Sequence, residues 1–240
     1  GCDNRCAFCV IPSVRGKSVS VGQDEVKARI RKLAGRGFRE IVLAGIHLSS
    51  YGEDFEPPGT LLGLLRELEG IPRLGRVRLS SLDPGKTDGM LVEHIAANPK
   101  ICQHFHLSLQ HASARLLRLM GRAVEPGSCE RLLGDLRTRS PEAALGADII
   151  VGFPGETATE FGELRSFLAG SPLTYIHVFS YSPRPGTPAA GRPGVPASVV
   201  RDRAMELRRL AAEKDFRFRG QFKGRELEAA VIHASERGAE

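Results

Sequence analysis

The sequence predicts an α/β protein with a parallel sheet, open or closed into a barrel, and three observations predict it. Strand-like and helix-like stretches take turns along the chain at a spacing suited to right-handed βαβ units. The strand-like stretches are short, apolar and rich in β-branched residues, as in REIVLAG and ADIIVG, which fits strands covered by helices. Each then runs into a polar or glycine-rich segment: REIVLAG into IHLSSYG, RVRLSS into LDPGK, HFHLSLQ into HAS, ADIIVG into FPGET, IHVFSYS into PRPGT. Ligands collect at such C-terminal strand ends in parallel α/β architectures. The small residues there leave room for a sizeable cofactor.

In order, EVKARIRKLAGRG sets Val26, Ile30 and Leu33 on one helical face and stops at Gly35 and Gly37. REIVLAG is a strand, LLGLLRELEG a helix, RVRLSSL a strand and MLVEHIAANP a helix closed by Pro99. CQHFHLSLQ is the next strand, and alternation puts His104, His106, Ser108 and Gln110 on one side and Phe105, Leu107 and Leu109 on the other. The polar side suits a wet lumen. SCERLLGDLRTRSP is a helix, ALGADIIVG a strand, TATEFGELRSFLAG a helix opened by a Thr157/Glu160 capping box, and TYIHVFSYS a strand. PRPGTPAAGRPGVPAS, residues 183–198, reads as a Pro/Gly-rich linker and domain edge. A helix from about Val199 to Asp215 and a strand-like RELEAAVI follow.

With 240 residues, 41% hydrophobic and 26% charged, the chain has the composition of an ordinary soluble globular protein. No apolar run reaches the roughly 18 residues of a membrane span, and no charged-then-apolar leader opens the chain, so a cytoplasmic location without a membrane partner is expected. The sequence starts at Gly1 with the cysteine motif at once, which reads as a fragment of a longer protein. Of the formal charge of +6, most lies between Arg201 and Arg225, where nine basic residues face four acidic ones. There FRFRGQFKG interleaves Phe216, Phe218 and Phe222 with Arg217, Arg219 and Lys223, a mixture suited to phosphate contact and base stacking, or to a solvated helix face followed by a half-buried strand.

Three of the five cysteines, Cys2, Cys6 and Cys9, fall in GCDNRCAFC with the spacing C-x3-C-x2-C. They are too close together to staple distant elements, which argues against a secreted disulfide framework. A structural zinc site wants four ligands, usually as two separated pairs. Three thiolates on one loop instead suffice to hold a 4Fe-4S cube by three irons and leave the fourth without a protein ligand. Cys102 and Cys129 read as small buried hydrophobes. A zinc hydrolase barrel using His104 and His106 as an H-x-H pair, and a non-catalytic iron-sulfur module binding RNA, stand as alternatives.

C-x3-C-x2-C with Phe8 before the last cysteine resembles the signature of the radical S-adenosylmethionine (SAM) superfamily. The resemblance implies a TIM-like (β/α) barrel, partial and missing its first strand, and a cluster whose open iron chelates SAM and donates the electron that cleaves it to a 5'-deoxyadenosyl radical. IPSVRGKSVS, LAGIHLSSYG, LSSLDP, HFHLSLQHAS, LLRLMGR, ADIIVGFPGET and FSYSPRPGTPA are similar in content and order to the methylthiotransferase branch. Within that branch LAGIHLSSYG looks like the enzymes that thiomethylate threonylcarbamoyladenosine beside the tRNA anticodon. Methylthiolation of another tRNA adenosine or of a ribosomal protein is the neighbouring alternative.

The resemblance also implies roles and partners. Cys2, Cys6 and Cys9 would ligate the cluster, and Phe8 would shield it. Gly45 would leave space for the methionine moiety of SAM, Ser108 and Gln110 would face its ribose or methionine end, and the Gly152 to Glu156 turn, with Gly155, would line the adenine. Arg15 would reach the SAM carboxylate or the substrate. A tRNA substrate and an electron donor such as flavodoxin or ferredoxin are expected, with a second sulfur-donating cluster on an N-terminal domain outside this chain. The implied division is residues 1–198 as barrel core, 199–215 as a basic helix, and 216–240 as the start of a small TRAM-like RNA-binding β-barrel. Where the branch usually reads LSLQSGS this chain has LSLQHAS, so the turn after Gln110 lacks its glycine.

Overall fold

A computed structural model describes residues 1–122, 124, 126–231, 234, 235, 238 and 239. The helices are α1 (Ile11–Arg15), α2 (Gln23–Gly35), α3 (Leu61–Leu68), α4 (Gly89–Ala97), α5 (Ala114–Leu119), α6 (Pro126–Arg139), α7 (Ala158–Gly170) and α8 (Ala197–Gly220). The strands are β1 (Glu40–Leu43), β2 (Arg76–Leu79), β3 (His104–Gln110), β4 (Ala144–Val151) and β5 (Tyr175–Ser180), with two short strands, β6 (Ala234–Ser235) and β7 (Gly238–Ala239), near the C-terminus. β1 pairs with β2, and β3 with β4 and β4 with β5, all in parallel. Parallel bridges Val77↔Ile101 and Leu82↔Leu107 join the two groups into one wall in the order β1-β2-β3-β4-β5. That is the predicted α/β architecture, with helices connecting successive parallel strands.

One face of the wall is apolar and makes the core. Phe105, Leu107 and Leu109 of β3 and Leu145, Ala147, Ile149 and Val151 of β4 are buried with Leu64, Leu65 and Leu68 of α3, Leu132, Leu133 and Leu136 of α6 and Leu164 and Leu168 of α7. These helical leucines recur at i, i+3 and i+4, so each helix lays one stripe on the sheet. Burying each contributes about 1.5–3 kcal/mol. Caps set where the helices begin: Thr60, Asp88, Ser113 and Thr157 each accept a backbone N–H from the first turn, and Thr157 with Glu160 completes the predicted capping box. No helix among the described residues is long and apolar enough to cross a membrane.

Three expectations need correction. Residues 183–198 do not hang free as a linker: Ala189 is fully buried and its N–H donates to the Ala7 carbonyl at 2.9 Å, so the Pro/Gly stretch folds back over the cysteine loop. The helix expected to end near Asp215 runs on to Gly220, which places Phe216 and Phe218 on a helix rather than at the start of a β unit. Ion pairs Glu213–Arg217 and Asp215–Arg219 and the edge-to-face pair Phe218–Phe222, all spaced i,i+4, explain the extension. RELEAAVI forms no strand over residues 225–231, and Ile232 lies outside the described residues. The LLRLMGR segment begins inside α5, which strand and helix periodicity alone did not reveal.

Candidate functional site

The cysteine loop lies across the C-terminal ends of the strands because its backbone is tied down on several sides. Cys2 N–H donates to Gly16 O at 3.1 Å, Ala7 N–H to Met120 O at 2.8 Å, and Cys9 N–H to Cys6 O at 3.0 Å. Gly121, with φ of +71°, is needed beneath it: a Cβ there would stand 2.7 Å from the Arg5 carbonyl oxygen. All three thiols of the loop are free, Cys2 buried and Cys6 and Cys9 half-buried. Burial pushes the Cys6 thiol up, against the opposing pull of the Arg122 guanidinium 4.0 Å away and the further push of Cys9 and Cys2. Three free sulfurs near enough to act on one another, on a loop whose ends are fixed, are a donor set that fits an iron-sulfur cluster.

Behind the loop is a buried polar network that the sequence reading did not single out. Arg122 and Asp83 are each 7% exposed and pair at 3.1 Å. Asp83 also meets His47 Nε2 at 3.0 Å and accepts from Asn4 at 3.4 Å and from the Gly85 N–H at 2.9 Å. Burial works to raise the Asp83 carboxyl, but the His47 contact and the Arg122 charge outweigh it and hold it below the usual carboxylate range. Arg122 donates to the Ser108 carbonyl at 2.7 Å and to its hydroxyl at 3.3 Å. The network thus joins the cysteine loop (Asn4), the segment after β1 (His47), the segment after β2 (Asp83), β3 (Ser108) and the segment after α5 (Arg122). The signal for it in the sequence was the pair LSSLDP and LMGR, both at strand or helix ends.

The residues expected to bind cofactor are partly gathered here. Phe8 packs on the small cluster of Ala7, Leu116, Met120, Ile150 and Phe153 beside the thiols. Gly45 lies past the end of β1 and lines a cavity of about 240 Å³ with Gly1, Ser18 and His47. A Cβ on Gly45 would meet the Leu48 backbone at 3.7 Å and the His47 backbone nitrogen at 4.0 Å, ordinary contacts, so packing within the chain does not demand glycine there. The Ser108 hydroxyl donates to Leu82 O at 3.3 Å. Gln110 itself takes the left-handed turn conformation, φ +73°, two residues before the Ala112 that stands where the glycine was missed. Gly152 and Gly155 have φ of +75° and +87°, and a Cβ on Gly152 would sit 2.4 Å from Val200 of α8. The carboxylate of Glu156 turns inward to the Gly152 N–H and pairs with Arg203 at 2.8 Å, so this turn is fastened to α8. Arg15 ends α1 at the surface, away from these groups, with no ion pair among the described residues.

The polar face of the wall carries a second constellation. His106 Nε2 and His177 Nδ1 lie 2.9 and 3.3 Å from Asp148 Oδ1. The Tyr175 hydroxyl lies 2.9 Å from His106 Nδ1 and 2.8 Å from His104 Nε2. Burial, then the Arg78 charge, pushes His104 down to about 4. Gly146 makes the arrangement feasible: a Cβ there would fall 1.9 Å from Cζ of Tyr175, so only glycine lets the ring lie over β4. The H-x-H pair considered from sequence is therefore bridged by the Tyr175 hydroxyl, and His106 turns its other nitrogen to Asp148.

Residues 1–168 match the Radical SAM superfamily. The chain belongs to that superfamily. A threonylcarbamoyladenosine tRNA methylthiotransferase of Rickettsia prowazekii, MtaB, is 41% identical over 87% of this chain and 50% of the relative. The Aquifex aeolicus MtaB is 40% identical over 97% of this chain and 56% of the relative. A ribosomal protein uS12 methylthiotransferase, RimO, of Saccharopolyspora erythraea is 42% identical over 89% and 44%. The chain thus spans about half the length of these curated relatives. The same fold recurs in the radical SAM methyltransferase TsrM of Kitasatospora setae, with a TM-score of 0.65 at 20% identity over 79% of this chain and 37% of that one. It recurs too in HemN, the coproporphyrinogen III oxidase of Escherichia coli, at 0.62 and 17% over 89% and 50%.

Proposed function

We propose that this chain is the radical SAM core of a methylthiotransferase that modifies threonylcarbamoyladenosine next to a tRNA anticodon. The observation that carries the reading is the cysteine loop, three free thiols held over the strand ends in a chain about 40% identical to two MtaB proteins. Cys2, Cys6 and Cys9 would hold a 4Fe-4S cluster. When bound, the cluster supplies an open iron for SAM and the electron that cleaves it.

The chain's own residues do the rest by position. Phe8 shields the thiols on one side. Arg122, already fixed by Asp83, presents a guanidinium toward Cys6 and resists movement of the loop. Ser108 and Gln110 at the end of β3, Gly45 after β1, and Gly152 and Gly155 after β4 border the space in which SAM would lie, and Arg15, exposed at the end of α1, would reach in only toward the SAM carboxylate or the substrate. The exposed Phe216 and the cation Lys223 beside the end of α8 offer stacking and phosphate contacts to tRNA, while Arg225 is paired with Glu142. A second, sulfur-donating cluster on a segment outside this chain and a flavodoxin- or ferredoxin-class reductant complete the proposal. Because the RimO relatives are as identical as the MtaB ones, ribosomal protein uS12 is the second substrate to measure.

Mass spectrometry of tRNA nucleosides and of ribosomal protein uS12 from a strain deleted for the parent gene tests this reading. The methylthio derivative of threonylcarbamoyladenosine should vanish with uS12 unchanged; unchanged nucleosides would overturn the substrate. Cys6→Ala should abolish the brown iron-sulfur absorbance and reductive SAM cleavage.

A further inference from the structure

The constellation on the polar face has no part in that proposal, and its geometry is that of a metal site. His106, Asp148 and His177 come from β3, β4 and β5, three adjacent parallel strands; Asp148 is the Cα partner of His177, and His106 pairs with Gly146, two residues before Asp148 on the same face. Their candidate donor atoms, one per residue, all lie within 4.8 Å of one another, and two of the three separations are 2.9 and 3.3 Å. Bonds of 2.0–2.2 Å at tetrahedral angles place donors about 3.3 Å apart. Small rotations of the rings would therefore bring all three onto one ion. We propose that His106, Asp148 and His177 bind one divalent transition-metal ion, such as zinc, with a coordination position left open toward the interior of the barrel.

Three features favour this set over a mere hydrogen-bonded triad. Two imidazoles and one carboxylate are the donor types that zinc and its neighbours take in sites of three protein ligands. The exposures are graded, His106 9%, Asp148 23% and His177 56% for the side chains, so the site is anchored at one end and open at the other. Finally, His106 has the outer partner that ligating histidines usually have, because its Nδ1 faces the Tyr175 hydroxyl. The chain His104–Tyr175–His106 can be hydrogen-bonded in either direction. With His106 Nε2 carrying the proton, it donates to Asp148 and Tyr175 donates to Nδ1. With a metal on Nε2, the proton sits on Nδ1 and donates to Tyr175, whose hydroxyl turns to His104 Nε2. No proton need leave the protein for the metal to enter.

The test uses holoenzyme with its iron-sulfur cluster already in place, titrated anaerobically with Co²⁺ and read by visible absorption and metal analysis. One cobalt per chain is expected beyond the iron, with the d–d bands of nitrogen and oxygen ligation and without a thiolate charge-transfer band. His177→Ala and Asp148→Asn should each weaken cobalt binding by more than the roughly 10–100-fold that outer-shell partners carry, and Tyr175→Phe by about that factor. His177 is the safeguard against misfolding, since its ring is more than half exposed. No bound cobalt, a thiolate band, or unchanged affinity in His177→Ala would each overturn the site. Iron and sulfide content, measured in the same samples, report on the cysteine loop separately, so failure here is distinguishable from failure of the proposed function.

Discussion

The mouth of the barrel holds a buried polar network and the polar inner face a partly exposed one, and the two are built on opposite plans. At the mouth, Arg122 and Asp83 bring full charges into a site where each is 7% exposed, and Asn4, His47 and Ser108 fill the remaining bonds. On the inner face there is one carboxylate, Asp148, among three histidines and a tyrosine. The difference follows from what each region must hold. The inner-face residues ride on strands whose spacing the ladder already fixes. The mouth must instead join loops that no ladder connects, and a compensated charge pair does so with a large penalty for coming apart.

The sharpest way to break this contrast is to remove one carboxylate from each region. Asp83→Ala leaves Arg122 buried without its partner, and should cost about 3–5 kcal/mol in urea unfolding. Asp148→Ala leaves no buried guanidinium behind and should cost about 1–3 kcal/mol. The double variant Asp83→Leu, Arg122→Met should recover most of the loss, because it removes both charges. Equal costs for the two single variants would show that the mouth has no special dependence on charge.

Acid should separate the regions next. His104 is held down to about 4 and His111, fully buried behind Gln110, likewise to about 4, by burial in both cases. An unfolded histidine titrates near 6.5, so as pH falls below that value the unfolded chain takes up protons first, and stability present above pH 6.5 is lost down to about pH 4. Asp83 is shifted below its ordinary value, so its contribution is full above the unfolded carboxylate value of about 3.9 and is lost only at lower pH. The two buried histidines should therefore cost stability at higher pH than the loss of the Asp83 ion pair does. Urea midpoints between pH 7 and 4.5 check this: the wild-type slope should flatten in a His104→Gln, His111→Gln double variant, and an unaltered slope would place the acid sensitivity elsewhere.

This contrast also sorts what could be read from the sequence. The core face was legible because each element declares itself locally: Leu64, Leu65 and Leu68 by helical spacing, Ile149 and Val151 by alternation, Thr157 with Glu160 by a cap three residues apart. The cysteine loop was legible because three thiols in nine residues have few physical explanations. The mouth network was not, since Arg122 is one of 34 basic residues and its partner Asp83 is brought to it only by the tertiary fold. The inner face was half legible: alternation put His104 and His106 on one side, but Asp148 and His177 join them through strand register, which periodicity does not fix. Phe216 and Phe218 misled for a similar reason, because F-R-F-R alternates like a strand while the i,i+4 pairs with Glu213, Asp215 and Phe222 keep it helical.

The smallest effect expected is also the most discriminating. Tyr175→Phe keeps the ring that lies over Gly146 and removes only the hydroxyl between His104 Nε2 and His106 Nδ1. Burial, then the Asp148 charge, pushes that phenol up, so it is a neutral donor across the working pH range. Its loss leaves two ring nitrogens without this partner, at a cost of about 1–2 kcal/mol, less if water enters from the open side near His177. Among the described residues this hydroxyl is hydrogen-bonded to His104 and His106 and to none of the mouth network. Thermal unfolding should shift by a few degrees at most while iron content and the iron-sulfur spectrum stay at wild-type values; loss of iron in Tyr175→Phe would mean that the two networks act as one.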